Sequence, residues 1–207
     1  MTMAEVVRSR LFAIGAAAVL ALVVAGAAGW FVLAPGTRSM ASGEALVGGP
    51  FTLTDQHGDV VTEQDFAGRY MLIYFGYTYC PDFCPMSLDN MSRALNLLPP
   101  EQAEQVVPVL ITIDPERDTV EQLAEYAPLF HPRLVALTGT PEQITQAAKA
   151  YRVYFSKAGN SDSDTYLMDH STFIYLMGPD GKYVRHFSHS AAPEEIAAGI
   201  EAAIAEA

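Results

Sequence analysis

Tyr70-Met71-Leu72-Ile73-Tyr74-Phe75-Gly76-Tyr77-Thr78-Tyr79-Cys80-Pro81-Asp82-Phe83-Cys84-Pro85 is the stretch that decides how this chain folds. Residues 70–77 form a near-continuous apolar and aromatic run of the length of a strand buried on both faces, so they predict a central strand. From residue 81 to 98 the pattern changes: Met86, Leu88, Met91, Leu95 and Leu98 read as one apolar helix face, and Pro99-Pro100 stops it. Proline suits a first helical turn because its missing N–H would have had no partner there, which places Cys80 at or just before the helix start. Cys84 is then expected one turn on. A helical turn would set the two side chains about 40° apart on one face and roughly 6 Å apart along the axis, so that two sulfurs can converge.

Working outward, residues 106–113 read as a second buried strand, followed by Asp118-x-x-Glu121, a capping box opening a helix through Tyr126. Residues 134–137 suggest a short strand. Thr140, Pro141 and Gln143 supply an N-cap, a first-turn proline and a capping-box partner for a helix reaching Tyr151. Gly159-Asn160-Ser161-Asp162-Ser163-Asp164 is a surface loop. Residues 172–177 and 182–187 flank Gly178-Pro179-Asp180-Gly181 as a β-hairpin, and residues 193–205 close the chain as an Ala-rich helix. Upstream, residues 51–54 and 60–62 flank Gln56-His57-Gly58-Asp59 as a short N-terminal hairpin. Strands alternating with helices predict an α/β domain over residues 50–207, a central mixed sheet flanked by helices.

Before this domain, residues 11–34 carry no charge, and about 24 residues of helix would reach roughly 36 Å, enough to span a bilayer. Arg8 and Arg10 precede the run and only Arg38 follows it closely. The positive-inside rule then predicts a cytoplasmic tail at 1–10, one transmembrane helix at 11–34 with Trp30 as an interfacial anchor, a flexible linker at 35–49, and export of the rest. A cleaved signal peptide is the alternative, with small residues at Val24-Ala25-Gly26-Ala27, but the run exceeds the usual apolar length of about 7–15 residues. No Arg-rich leader precedes the span, which points to a bacterial inner membrane, single-pass, with the C-terminal domain in the periplasm. The formal net charge is −12 and no basic cluster follows Arg38, so nucleic acid is excluded as a partner class.

Cys80 and Cys84 are the only two cysteines. With no disulfide framework to build, the pair performs redox chemistry, binds a metal or forms one small local bridge. The unpaired amides and dipole of a helix start favour thiolate, the form that both ligates metal and attacks disulfides. Three residues lie between the cysteines, where dithiol oxidoreductases of the thioredoxin class have two, and the wider loop leaves room for an ion.

Phe75-Gly76-Tyr77-Thr78-Tyr79-Cys80-Pro81-Asp82-Phe83-Cys84-Pro85, Asp114-Pro115-Glu116-Arg117-Asp118 and Asp169-His170-Ser171, in that order, resemble the signature of the Sco/SenC copper proteins. The similarity runs from about Gly48 to the C-terminus, and the tail, span and tether match that family's layout. The resemblance implies a thioredoxin-like fold and a role in maturing the dinuclear copper centre of cytochrome c oxidase. It also implies one copper ion held by Cys80, Cys84 and His170, with the copper-binding subunit of the oxidase as acceptor and a periplasmic copper protein as donor. Two thiolates suit Cu(I), imidazole suits Cu(I) or Cu(II), and three ligands leave a position open for transfer.

His170 is expected on a loop that lowers it onto the Cys80 turn. Asp114 either orients a ligand from outside the metal's own shell or only makes the turn before Pro115. His57, His131, His186 and His189 read as surface residues, Met86 and Met91 as core. Tyr74, Phe75, Tyr77 and Tyr79 are expected in the core or on a rim around the site. A copper carrier performs no turnover and is not an enzyme. The alternative is a thiol–disulfide oxidoreductase in which Cys80 and Cys84 are catalytic and reduce the cysteines of the oxidase's copper-binding subunit. A peroxidase reading fits poorly, because proline directly follows Cys80 and a second cysteine lies one turn away.

Overall fold

The computed structural model describes residues 47–159 and 166–207. The tail and span expected at 1–34, most of the linker and the polar stretch at 160–165 lie outside the described residues, among which no helix is long and apolar enough to cross a membrane. The order of elements is β1 (Thr52–Asp55), β2 (Val60–Thr62), β3 (Tyr70–Gly76), α1 (Phe83–Leu97), α2 (Pro100–Ala103), β4 (Val106–Thr112) and α3 (Val120–Tyr126). There follow β5 (Val135–Thr138), α4 (Pro141–Ala150), β6 (Phe155–Ala158), β7 (Leu167–His170), β8 (Phe173–Met177), β9 (Tyr183–Ser188) and α5 (Pro193–Ala205).

Seven strands form one mixed sheet in the order β2-β1-β5-β4-β3-β8-β9. β3 is buried along its whole length, as its unbroken apolar composition requires, and it pairs in parallel with β4 from Tyr70 opposite Val106 to Gly76 opposite Thr112. On its other side it runs antiparallel to β8. The parallel pairing brings the carboxyl ends of β3 and β4 to one edge, so the segments after Gly76 and Thr112 emerge side by side. Helices α1 and α5 pack together, α3 packs against β5, and α4 against β1. On α1 the buried face is Cys84, Leu88, Met91 and Leu95, a 4-3-4 spacing. Met86 falls off that stripe and is 40% exposed, which corrects its expected place in the core.

Thr140, Pro141 and Gln143 cap α4 as expected, with Thr140 Oγ1 accepting from Gln143 N and Gln143 Oε1 accepting from Thr140 N. The box expected at Asp118 and Glu121 does not form. Thr119 is the N-cap of α3, its Oγ1 accepting from Gln122 N, because the Asp118 carboxylate turns inward. There it accepts from Thr78 Oγ1 and Thr112 Oγ1, both at 2.6 Å, and from Thr78 N at 3.0 Å. Asp118 is fully buried, and burial raises its pKa against the lowering effect of these donors. His131, expected at the surface, is buried as well, its Nδ1 accepting from Arg133 N at 3.1 Å, and burial lowers its pKa.

Asp118 therefore ties the end of β3 to the end of β4. Asp118→Ala strips a buried acceptor from three donors and is expected to cost about 2–4 kcal/mol, read as a fall in the thermal or denaturant midpoint.

Candidate metal centre

Cys80 lies in the turn between β3 and α1, where its N–H donates to the Tyr77 carbonyl oxygen at 3.3 Å. The helix begins at Phe83, not at Pro81 as expected: Pro85 has no N–H to donate to the Pro81 carbonyl oxygen, so it fits only in a first turn, and the first helical bond runs from Met86 N to the Asp82 carbonyl oxygen at 3.4 Å. Convergence comes instead from the sulfur itself. Cys80 Sγ accepts from Cys84 N at 3.4 Å, taking up an amide at the helix start that the Asp82 side chain leaves uncapped. Cys84 is wholly buried, with the Tyr74 hydroxyl 3.9 Å from its sulfur. Gly76 makes that burial possible: a Cβ there would stand 3.0 Å from Cys84 Sγ and 2.7 Å from the Tyr74 ring.

Cys80 faces a cleft of about 320 Å³ whose walls include Tyr77, Phe83, Leu167, Met168 and His170. Its thiol is held well below the ordinary range, first by the hydrogen bond from the Cys84 thiol and then, against burial, by the amides of Cys84 and Asp82. The Cys84 thiol is driven the other way, by donating that bond and by burial. Negative charge on the pair is therefore favoured at Cys80 over Cys84.

His170 ends β7, which pairs antiparallel with β6 in a separate two-stranded sheet, Phe155 standing opposite His170. A strand carries the histidine, where a loop was expected. The sequence reading missed this hairpin because the polar stretch before Tyr166 hid two short strands of weak alternation, Phe155-Ser156-Lys157-Ala158 and Leu167-Met168-Asp169-His170. His170 Nδ1 is 2.8 Å from the Ser171 carbonyl oxygen, which can only accept, so Nδ1 carries a proton, and in the neutral ring Nε2 is the nitrogen with the lone pair. Nε2 lies 3.8 Å from Cys84 Sγ. The rings of Tyr74 and Tyr77 meet the imidazole edge-on, with centroids 6.1 and 6.0 Å away, and the Tyr77 hydroxyl accepts from Met168 N at 3.1 Å. Tyr79, in contrast, is half exposed.

Bonds from an ion to sulfur and nitrogen of about 2.0–2.3 Å, as in zinc sites, together exceed the 3.8 Å gap, so one ion can touch both Cys84 Sγ and His170 Nε2. Among the described residues no group of three or more His, Cys, Asp or Glu is gathered closely enough to hold an ion as it stands. The donors would have to draw inward around a metal. Asp114 is buried and spent elsewhere: Oδ1 accepts from the Tyr166 hydroxyl at 2.6 Å and Oδ2 pairs with Arg117 Nε. Those bonds lead to Tyr166 at the entry to β7. Asp118 and Arg117 are the neighbours that sequence reasoning did not single out, although both stand in the quoted Asp114–Asp118 motif.

A mixed sheet with flanking helices, and a cysteine pair where a central strand passes into a helix, define a thioredoxin-like domain. Residues 39–205 match the SCO1/SenC family model, and the chain belongs to that family. It is 46% identical over 160 residues to Protein sco1 of Schizosaccharomyces pombe, covering 76% of this chain and 61% of that protein. The chain spans between 47% and 61% of the lengths of this relative and the SCO1 homologues of Arabidopsis thaliana and Homo sapiens. Among solved structures, Bradyrhizobium japonicum ScoI with copper bound superposes with a TM-score of 0.69 at 44% identity, covering 75% of this chain and 98% of that one. BsSco, described as a Sco-family cytochrome c oxidase assembly protein with a disulfide switch, gives 0.58 at 26% identity, covering 76% and 92%.

Two outcomes follow from this geometry. The depressed Cys80 pKa keeps its thiolate populated as pH falls, so its alkylation rate, followed by peptide mass spectrometry, should stay nearly level from about pH 8 to 6. An ordinary thiol would slow by roughly tenfold per unit below its pKa, and Cys84 should remain unmodified. Gly76→Ala must displace Cys84 Sγ or Tyr74, and is expected to raise the accessibility of Cys84 to the same reagent while costing about 1–3 kcal/mol of stability.

Proposed function

We propose that this chain is a membrane-anchored copper carrier. It holds one copper ion through Cys80, Cys84 and His170 and passes it to the copper-binding subunit of cytochrome c oxidase. The observation that carries the reading is the approach of an imidazole nitrogen, His170 Nε2, to the sulfur of Cys84, beside a cleft that His170 and Cys80 both line. Two sulfurs and one imidazole form a soft set suited to Cu(I), and the imidazole also serves Cu(II). With three donors at a cleft, a fourth position stays free for an incoming ligand, which is the requirement for transfer. The copper-bound Bradyrhizobium japonicum relative and the oxidase-assembly role named for BsSco support the same reading.

The anchor belongs to the proposal too: a tail at 1–10, a single span at 11–34 in a bacterial inner membrane, a linker at 35–49, and the copper-binding domain at 50–207 in the periplasm, loaded there by a copper donor protein. A second reading is favoured by the asymmetry of the cysteines. A thiolate favoured on Cys80, which is largely buried but lines the cleft, beside a wholly buried thiol on Cys84 suits attack on a partner disulfide followed by resolution, so the same pair can act as a thiol–disulfide reductase.

His170→Ala separates the two. Copper affinity should fall by roughly 100-fold or more, as losing a ligand costs more than the about 10–100-fold usual for losing a residue that only hydrogen-bonds to one, and oxidase assembly should fail with it. Copper content by metal analysis and oxidase assembly in a complemented strain are the measurements. Assembly that persists in a copper-free variant, with thiol reduction intact, removes the carrier reading and leaves the reductase.

A further inference from the structure

Arg117 stands between the two halves of the site. Its guanidinium carbon lies 3.6 Å from the ring centroid of Tyr166, 4.6 Å from that of Tyr79 and 5.9 Å from that of Tyr77. Tyr79 immediately precedes Cys80, and Tyr166 immediately precedes β7, whose last residue is His170. Only 14% of the Arg117 side chain is exposed. Nη1 donates to the Tyr166 carbonyl oxygen at 2.9 Å, Nε pairs with Asp114 Oδ2, and Asp114 Oδ1 accepts from the Tyr166 hydroxyl. Tyr166 is therefore gripped by its ring, its carbonyl and its hydroxyl. Nη2 has no hydrogen-bond partner among the described residues, so that part of the fork relies on the ring contacts.

This grip matters because β6 and β7 share no backbone ladder with the seven-stranded sheet. The hairpin is fastened by side chains: Met168 buried in the core with Phe155 packed against it, and three polar attachments, namely the Arg117 cluster, the Lys157–Glu116 pair at 2.7 Å and the bond from Met168 N to the Tyr77 hydroxyl. The Lys157–Glu116 pair is more than a third exposed and weak in water. The buried arginine, stacked and hydrogen-bonded in a fixed planar fork, is the strongest of the three.

We infer that Arg117 is a positioning residue that clamps the histidine-bearing hairpin to the cysteine loop and thereby sets how readily His170 leaves the cysteines. Its consequence for copper release rests on the proposed function; its mechanical content does not. Lysine can keep the charge but cannot reproduce the fork, so Arg117→Lys should lie between wild type and Arg117→Met.

The test uses metal-free protein. Amide hydrogen exchange at Met168 and Ser171 should quicken by about tenfold or more in Arg117→Met, less in Arg117→Lys, while amides of β3 and β4 keep their wild-type rates. Tyr166→Phe removes only the hydroxyl bond to Asp114 and should give a smaller increase confined to the same amides. In copper-loaded protein, Cu(I) dissociation to a chelator should quicken in the same order. Wild-type exchange at Met168 and Ser171 in the variants overturns the inference. If Arg117→Met speeds every amide alike, Tyr166→Phe decides, and an equally unselective or absent response there also overturns it. Wild-type protein that binds no copper would defeat the functional reading while leaving the exchange result intact.

Discussion

The parallel pairing of β3 with β4 is the constraint on which the rest of the structure depends. Because both strands run the same way and are buried throughout, their carboxyl ends open at one edge of the sheet, and the turn bearing Cys80 meets the turn bearing Asp114 and Asp118. Asp118 then joins them by accepting from Thr78 and Thr112. A buried carboxylate is tolerated there because donors surround it, and the cost of leaving those donors unpaired makes the junction rigid. The cysteine loop starts from a fixed point two residues before Cys80.

From that point two different environments divide the cysteines. Cys84 is carried into the core on α1, under Tyr74 and against Gly76, while Cys80 remains in the turn at the cleft. The neighbouring thiol and then the helix-start amides favour negative charge on Cys80, while the hydrogen bond to Cys80 and then desolvation favour the proton on Cys84. The same asymmetry serves a soft metal, for which one thiolate is ready and a second is formed when a proton leaves. It equally serves disulfide exchange, which needs one attacking and one resolving sulfur. Under either function proposed above, metal handling or thiol chemistry would draw on this one arrangement of charge.

The histidine reaches this arrangement by a different kind of attachment. The seven-stranded sheet is held by continuous backbone ladders, whereas the β6–β7 hairpin is held by side chains, with Met168 and Phe155 against the core, an arginine between aromatic rings, one surface ion pair and one tyrosine hydroxyl. Ladders add many bonds that open together, while a few side-chain contacts open locally at much lower free energy. The Nδ1 bond to Ser171 keeps the imidazole in the tautomer that presents Nε2, even though the hairpin itself is the more loosely attached part.

The sequence by itself determined the local elements and the identities of the reactive groups. The unbroken apolar run at 70–77 could only be a doubly buried strand, Thr140 with Pro141 and Gln143 could only begin a helix, and two cysteines four residues apart had to be neighbours. These are short-range consequences of periodicity, capping and chain geometry. Three separated motifs also pointed to one family. The tertiary structure alone decided that Asp118 turns inward instead of capping α3, that Met86 leaves the core, that Cys80 caps the helix with its sulfur, and that His170 rides a second small sheet. Each of those outcomes depends on which donors, rings and unpaired amides arrive from distant parts of the chain, and a local pattern carries no record of partners that come together only when the chain folds.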